Sequence, residues 1–157
     1  MRKLVLMALI ALTAAPAFAQ LPNPYGASVN LDTARKIAAA AIAEAGKNDF
    51  KMAIAIVDTA GDLVYFEKMD GTQVASVNIA QDKARSSVRF KRPTKAMQDV
   101  LAAGGAGVRF LALQGAVPVE GGLPLLMNGQ IVGAIGASGG TSDQDGQVAK
   151  AGADSVK

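Results

Sequence analysis

The chain contains no cysteine, no histidine and no tryptophan. Each absence removes a class of chemistry. There is no Ser-His-Asp triad, no thiolate nucleophile, no Cys/His zinc site and no Cys-ligated iron–sulfur cluster. No imidazole is available as a general base or as an axial haem ligand. Disulfides, a common support of exported domains, are excluded as well. What is present is a chain of 157 residues, half of them hydrophobic, with 16 Lys+Arg against 13 Asp+Glu.

The N-terminus has the three parts of a secretory signal in order. Arg2 and Lys3 are the positive start, Leu4 to Ala15 the apolar stretch, and Ala17-Phe18-Ala19 the A-x-A cleavage site. Residues 1–19 are therefore expected to be a signal peptide, with a mature start at Gln20 and a periplasmic or secreted destination. The apolar stretch is shorter than the ~20 residues a membrane helix needs, so no membrane span is expected. Without Arg2 and Lys3 the basic residues number 14 against 13 acidic ones. The basic pI is thus partly a property of the signal, and no nucleic-acid partner is expected. The remaining 138 residues make one domain that buries roughly two thirds of its unfolded surface. It must hold together by its core and by oligomerisation.

Residues 20–29, with two prolines and a glycine, read as an extended leader. Asp32-Thr33 can cap a first helix whose stripe is Ile37, Ala38, Ala41 and Ile42, ending at Gly46. Met52 to Asp58 and Leu63 to Met69 flank a turn and predict a hairpin. A second helix over 76–90 presents Val77, Ala80, Ala84 and Val88 on one face, and Thr94 can cap a short third helix. Val108 to Val117 is ambiguous and supplies a possible fifth strand. Asn128-Gly129 between two apolar runs predicts a type I′ hairpin. Ser142 and Asp145 have capping-box spacing at the start of a last helix. Two hairpins separated by helices give an α+β domain with an antiparallel sheet.

Three features could carry chemistry. Gly104-Gly105, Gly121-Gly122 and Gly139-Gly140 are doublets suited either to turns or to close approach of a ligand. Ser138-Gly139-Gly140 precedes a helix start, where backbone N–H groups can meet an anion. Lys83, Arg85, Arg89, Lys91, Arg92 and Lys95 form a basic run that is either an anion patch or a solvated helix face or subunit contact. Asp58, Asp62 and Asp70 sit at strand ends, where aspartate bonds its own turn. No metal site is expected.

Asp58…Gly61, Ala80-x-x-Lys83-Ala84, Gly121-Gly122-x-Pro124, Gly133-Ala134-Ile135-Gly136-x-Ser138-Gly139-Gly140 and Gln144-Asp145-x-x-Val148-Ala149 follow one another in this chain. In that order they resemble the GlcG/HbpS family of haem-binding-like proteins, related to the C-terminal domain of corrinoid adenosyltransferases. The resemblance spans about residues 30–156 and defines a domain over 30–157. It implies a profilin-like antiparallel sheet of about five strands flanked by helices, homo-oligomers, and a haem or other porphyrin-like or small anionic ligand. It also implies ligand-binding roles for Lys83, Gly121, Gly122, Pro124, Ser138, Gly139, Gly140 and Asp145. Haem binding in the family is associated with histidine, which this chain lacks. A bound iron would need Met52, Met69, Met97, Met127, Tyr25, Tyr65 or a lysine, or would go without a side-chain ligand.

Two functional readings follow. One is an exported, oligomeric small-molecule-binding or sensing protein. The other is an enzyme or enzyme-accessory subunit acting on a small organic acid, with Lys83 as base or Schiff-base nucleophile. Lys83 also admits a structural role, as an ion pair with Asp145. A purely structural assembly unit is a third possibility.

Overall fold

A computed structural model describes residues 23–156. The expected signal peptide, 1–19, and the first leader residues lie outside them. Four helices and four strands follow in the order α1 (Leu31–Lys47), β1 (Ala53–Val57), β2 (Leu63–Lys68), α2 (Ser76–Arg89), α3 (Thr94–Ala102), a 3-10 helix (Gly105–Ala112), β3 (Gly122–Met127), β4 (Gln130–Ser138) and α4 (Ser142–Asp154). The sheet has the order β2-β1-β4-β3, with every neighbour antiparallel. Among the described residues, no helix is long and apolar enough to cross a membrane.

The sheet lies between two helical layers. β1 is buried along its whole length, so its period of two divides its side chains between two cores. Ile54 and Ile56 join Ile37, Ala41, Ile135 and Val148 in the core under α1 and α4. Ala53, Ala55 and Val57 join Ala80, Ala84 and Val88 under α2. The α2 side is built of small residues because the helix sits almost on the sheet backbone. A Cβ on Gly136 would lie 1.9 Å from the Ala80 carbonyl oxygen.

The expected second hairpin is present. Asn128 (φ 50°) and Gly129 (φ 74°) both occupy the left-handed region that a type I′ turn requires. The fold class holds, but the sheet has four strands rather than five. Residues 108–112 of the ambiguous stretch belong to the 3-10 helix that starts at Gly105. There Gly107 N–H bonds Gly104 O and Leu113 N–H bonds Phe110 O. Those local bonds consume the donors of a ladder, and Phe110 is buried while Val108 and Leu111 are exposed, so no alternating face exists for a sheet to bury.

The helix caps also differ from expectation. Asn30, not Asp32-Thr33, caps α1 by accepting from Thr33 N–H at 2.9 Å. Gly46 lies inside that helix, which continues to Lys47. Thr94 is the buried first residue of α3 rather than its cap. Its hydroxyl accepts from Gly122 N–H at 2.9 Å and ties α3 to β3. Thr141 and Gln144 form the capping box of α4, which leaves Asp145 for another partner.

Candidate functional site

Asp145 lies on the first turn of α4 and points inward, and Lys83 lies on the sheet-facing side of α2. Their side chains are 4% and 1% exposed, and Lys83 Nζ stands 2.6 Å from Asp145 Oδ2. Lys83 Nζ also donates to the Ala137 carbonyl at 3.3 Å. Asp145 Oδ1 accepts from Gly140 N–H at 3.0 Å. The anion received by the Ser138-Gly139-Gly140 loop is thus the chain's own carboxylate. Burial pushes the Asp145 carboxyl above the usual aspartate value, against the opposing pull of Lys83 and of the Gly140 and Gly139 N–H groups.

The glycines close around this pair. Gly121 has φ 124°, and a Cβ there would stand 2.7 Å from Ala137 O, 2.8 Å from Asp145 Cβ and 2.9 Å from Lys83 Nζ. A Cβ on Gly122 would meet the Lys83 carbonyl oxygen at 2.4 Å, and one on Gly139 would meet the Lys51 carbonyl oxygen at 2.0 Å. Ser138 turns to α2, its hydroxyl donating to Ser76 Oγ at 3.0 Å. Lys83 and Asp145 therefore form a buried ion pair closed by the Gly140 N–H, while the Ser138 hydroxyl is spent on α2. Gly121 and Gly122 are buried beside the pair, and Pro124 is half-buried.

Those three border two neighbouring concavities along β3, the edge strand. Pro124 suits that position because alternate N–H groups of an edge strand face away from the sheet, where a proline costs no ladder bond. The larger concavity, about 390 Å³, is walled by Leu123, Pro124, Leu126, Ile131, Ala153 and Pro93, with Lys91, Lys150, Asn23 and Asp154 at its polar margin. The smaller, about 230 Å³, is lined by Gly121, Gly122, Glu120, Lys95 and Gly146 and shares Pro93, Leu123 and Lys150 with the first. Lys91 sits 4.2 Å above the Tyr25 ring and enters no carboxylate ion pair among the described residues. Lys150 pairs with Asp154.

The remaining members of the basic run scatter. Arg85 faces Asp82 and Gln81, Arg89 donates to the Ala60 carbonyl, Arg92 to the Phe90 carbonyl, and Lys95 pairs with Asp99. Asp58 serves its own turn, its Oδ1 accepting from the N–H groups of Ala60, Gly61 and Asp62. Met52 and Met97 are fully buried. Tyr25 donates to the Val88 carbonyl and Tyr65 to Glu67. None of the methionines or tyrosines named above lines the larger cleft.

Several cleft residues were not singled out from the sequence: Leu126, Ile131, Glu120, Lys150 and Ala153. One signal was readable, since Gly146, Lys150 and Ala153 recur at helical spacing on one face of α4. Nothing local marks Glu120 beyond its place in a turn.

Comparison with known proteins places these features in a family. Residues 29–154 match the model described as haem degrading protein HbpS-like. GlcG of Escherichia coli K12 is 38% identical over 105 residues, covering 67% of this chain and 77% of GlcG. Klebsiella pneumoniae ORFY superposes with a TM-score of 0.76 at 30% identity, over 83% of this chain and 91% of ORFY. A double mutant of Streptomyces reticuli HbpS gives a TM-score of 0.77 at 29% identity, over 92% of this chain and 98% of HbpS.

Proposed function

The chain belongs to the HbpS-like family, and on that premise we propose that it is an exported, oligomeric protein that binds or senses a haem-like ligand, an apolar plate carrying carboxylates. The observation that carries this reading is the cleft of about 390 Å³ along β3, whose wall is aliphatic and whose margin holds the ammonium groups of Lys91 and Lys150. Apolar walls supply most of the affinity for such a ligand, and a few placed charges orient it.

The lining suits the periphery of a porphyrin and not its iron. It contains no His, Cys, Met or Tyr; elsewhere Met52 and Met97 are buried in the core, and Tyr25 and Tyr65 donate to the Val88 carbonyl and to Glu67. Binding through the ring face and the carboxylates, without axial ligation by those residue types, is what the donor set supports. The rival reading places chemistry on Lys83, but that amine is buried and already donates to Asp145 and Ala137. The binding reading is therefore favoured.

Fluorescence titration of iron-free protoporphyrin tests the cleft. Leu126 is 42% exposed, so Leu126→Glu leaves the core intact while setting a carboxylate in the apolar wall. It is expected to weaken binding about tenfold, ~1.4 kcal/mol. Unchanged affinity in that variant would move the site elsewhere.

Export and assembly are tested together on protein recovered from the periplasm. Its intact mass is expected to begin at Gln20, and light scattering to give a dimer or larger. Leu111 and Val108, 72% and 55% exposed, support an apolar contact between copies. A chain retaining Met1, or a monomer at micromolar concentration, would contradict this part of the reading.

A further inference from the structure

We propose that the smaller cavity is a carboxylate subsite, in which Lys95 and Glu120 hold an acid group of the ligand together while Glu120 takes up one proton from solution. This deepens the reading of the cleft given above and rests on it.

The observation is an orphaned oxygen. Among the described residues, Glu120 Oε2 is the one buried side-chain polar atom without a hydrogen-bond partner. Such an atom calls for an explanation, because a buried acceptor without a partner has lost its water with nothing in return. The rest of the residue is fixed. Glu120 N–H donates to Gln98 Oε1 at 2.8 Å, and Oε1 is packed against Gly146, where a Cβ would stand only 2.3 Å away. Lys95 Nζ lies 3.9 Å from Oε2, beyond hydrogen-bond reach. Two groups at that spacing can both be about 2.8 Å from one intervening oxygen. The cavity between α3, β3 and α4 opens beside them and adjoins the apolar cleft through Leu123 and Lys150. A plate lying on the aliphatic wall can thus extend an acid group into the smaller space.

The surrounding charges decide the protonation. α3 contributes Lys95 and Asp99, α4 contributes Asp143, and α2 contributes Lys83, already matched by Asp145. Lys150 of α4 lines the same cavity. Burial pushes the Glu120 carboxyl above the usual glutamate value, Lys95 pulls it down, and Asp143 pushes it up. An ionised Glu120 would repel an incoming carboxylate. A protonated one donates its hydrogen to it, and Lys95, held on its other side by Asp99 at 2.8 Å, adds a positive charge. Solution provides the proton, Glu120 Oε2 keeps it, and no other bond changes. Since the bound form holds more protons, affinity rises as pH falls.

The test is an NMR titration of the purified protein with propionate at pH 5.5 and 8.0, repeated in Glu120→Gln. Shifts at the Gly121 and Gly122 amides are expected to saturate, with affinity at least about fivefold higher at pH 5.5. Glu120→Gln, which keeps a donor at every pH, is expected to lose that dependence and to bind at pH 8.0 as the parent does at 5.5. The Glu120 carboxyl ¹³C signal should move toward its acid value when propionate is added at pH 7. Absence of shifts at Gly121 and Gly122, shifts without pH dependence, or pH dependence that survives in Glu120→Gln would each overturn the subsite. Protoporphyrin failing to bind while propionate behaves as described would instead overturn the wider reading and leave the subsite standing.

Discussion

Replacing Lys83 with methionine is expected to lower the free energy of unfolding by about 3–5 kcal/mol, measured by urea denaturation near neutral pH. Methionine preserves most of the lysine stem, so the loss isolates the charge. The removed ammonium sits 2.6 Å from Asp145 Oδ2, in a place where both side chains are at most 4% exposed. Without it a carboxylate remains buried with the Gly140 N–H as partner. The deficit should depend on pH. In the variant, burial raises the folded-state pKa of Asp145 without a cation to oppose it. Stability is then retained below the unfolded aspartate value, about 3.9, and lost as pH rises toward the folded one. The gap between parent and variant should accordingly narrow in acid and widen toward neutrality. Adding Asp145→Asn, which keeps an acceptor for Gly140 and removes the buried charge, should recover more than half of the loss. A double-mutant coupling energy of at least about 2 kcal/mol is expected, because Asp145→Asn alone also leaves a buried charge unpaired. A Lys83→Met variant within about 0.5 kcal/mol of the parent would show that the pair is not closed as described.

Gly136→Ala is expected to cost about 3 kcal/mol, the upper end of overpacking effects. The added methyl would lie 1.9 Å from the Ala80 carbonyl oxygen and 2.8 Å from the Ala84 nitrogen, both on the backbone of α2. No rotamer relieves a clash with backbone, so the helix must move away from β4 and loosen the core of Ala53, Ala55, Val57, Ala84 and Val88. Gly46→Ala is the matching control. It adds the same methyl inside α1, where nothing lies within 4 Å, and should stabilise by about 0.5–1 kcal/mol. Thermal or urea unfolding of the two variants should therefore give opposite signs. Equal effects would mean that α2 does not rest on β4 as closely as described.

Both sites show what a sequence makes readable. The Lys83–Asp145 pair spans 62 positions, yet it could be anticipated as one option because a lysine flanked by Ala80 and Ala84 on an apolar stripe needs a charge partner. The second hairpin was legible because Asn128-Gly129 encodes its turn conformation locally. The caps were misread by a residue or two. Asp32, Thr33, Ser142 and Asp145 all have suitable side chains, and only the path of the chain decides that Asn30 and Thr141 do the capping. The fifth strand failed for a different reason. Apolar composition over 108–117 does not reveal that its first residues, 108–112, continue a 3-10 helix begun at Gly105. The cleft was least legible of all. Its wall combines Pro93, Leu123, Ile131 and Ala153, and only the sheet order and the docking of α4 bring them together. Of the glycine doublets, Gly121-Gly122 lines the smaller concavity, but a Cβ on either residue would first meet the chain's own backbone.

The proposed recognition in this cleft is of an apolar, carboxylate-bearing plate, held by its face and edge and not through a metal. Parallel titrations of the purified protein with haemin and with iron-free protoporphyrin test it most directly. Dissociation constants within about threefold of each other, a difference of less than ~0.7 kcal/mol, are predicted, and the haemin complex should lack a low-spin spectrum. A sharp, stoichiometric haemin spectrum with affinity a hundredfold or more above that of protoporphyrin, ~2.8 kcal/mol, would show that a side chain ligates the iron and would contradict the account.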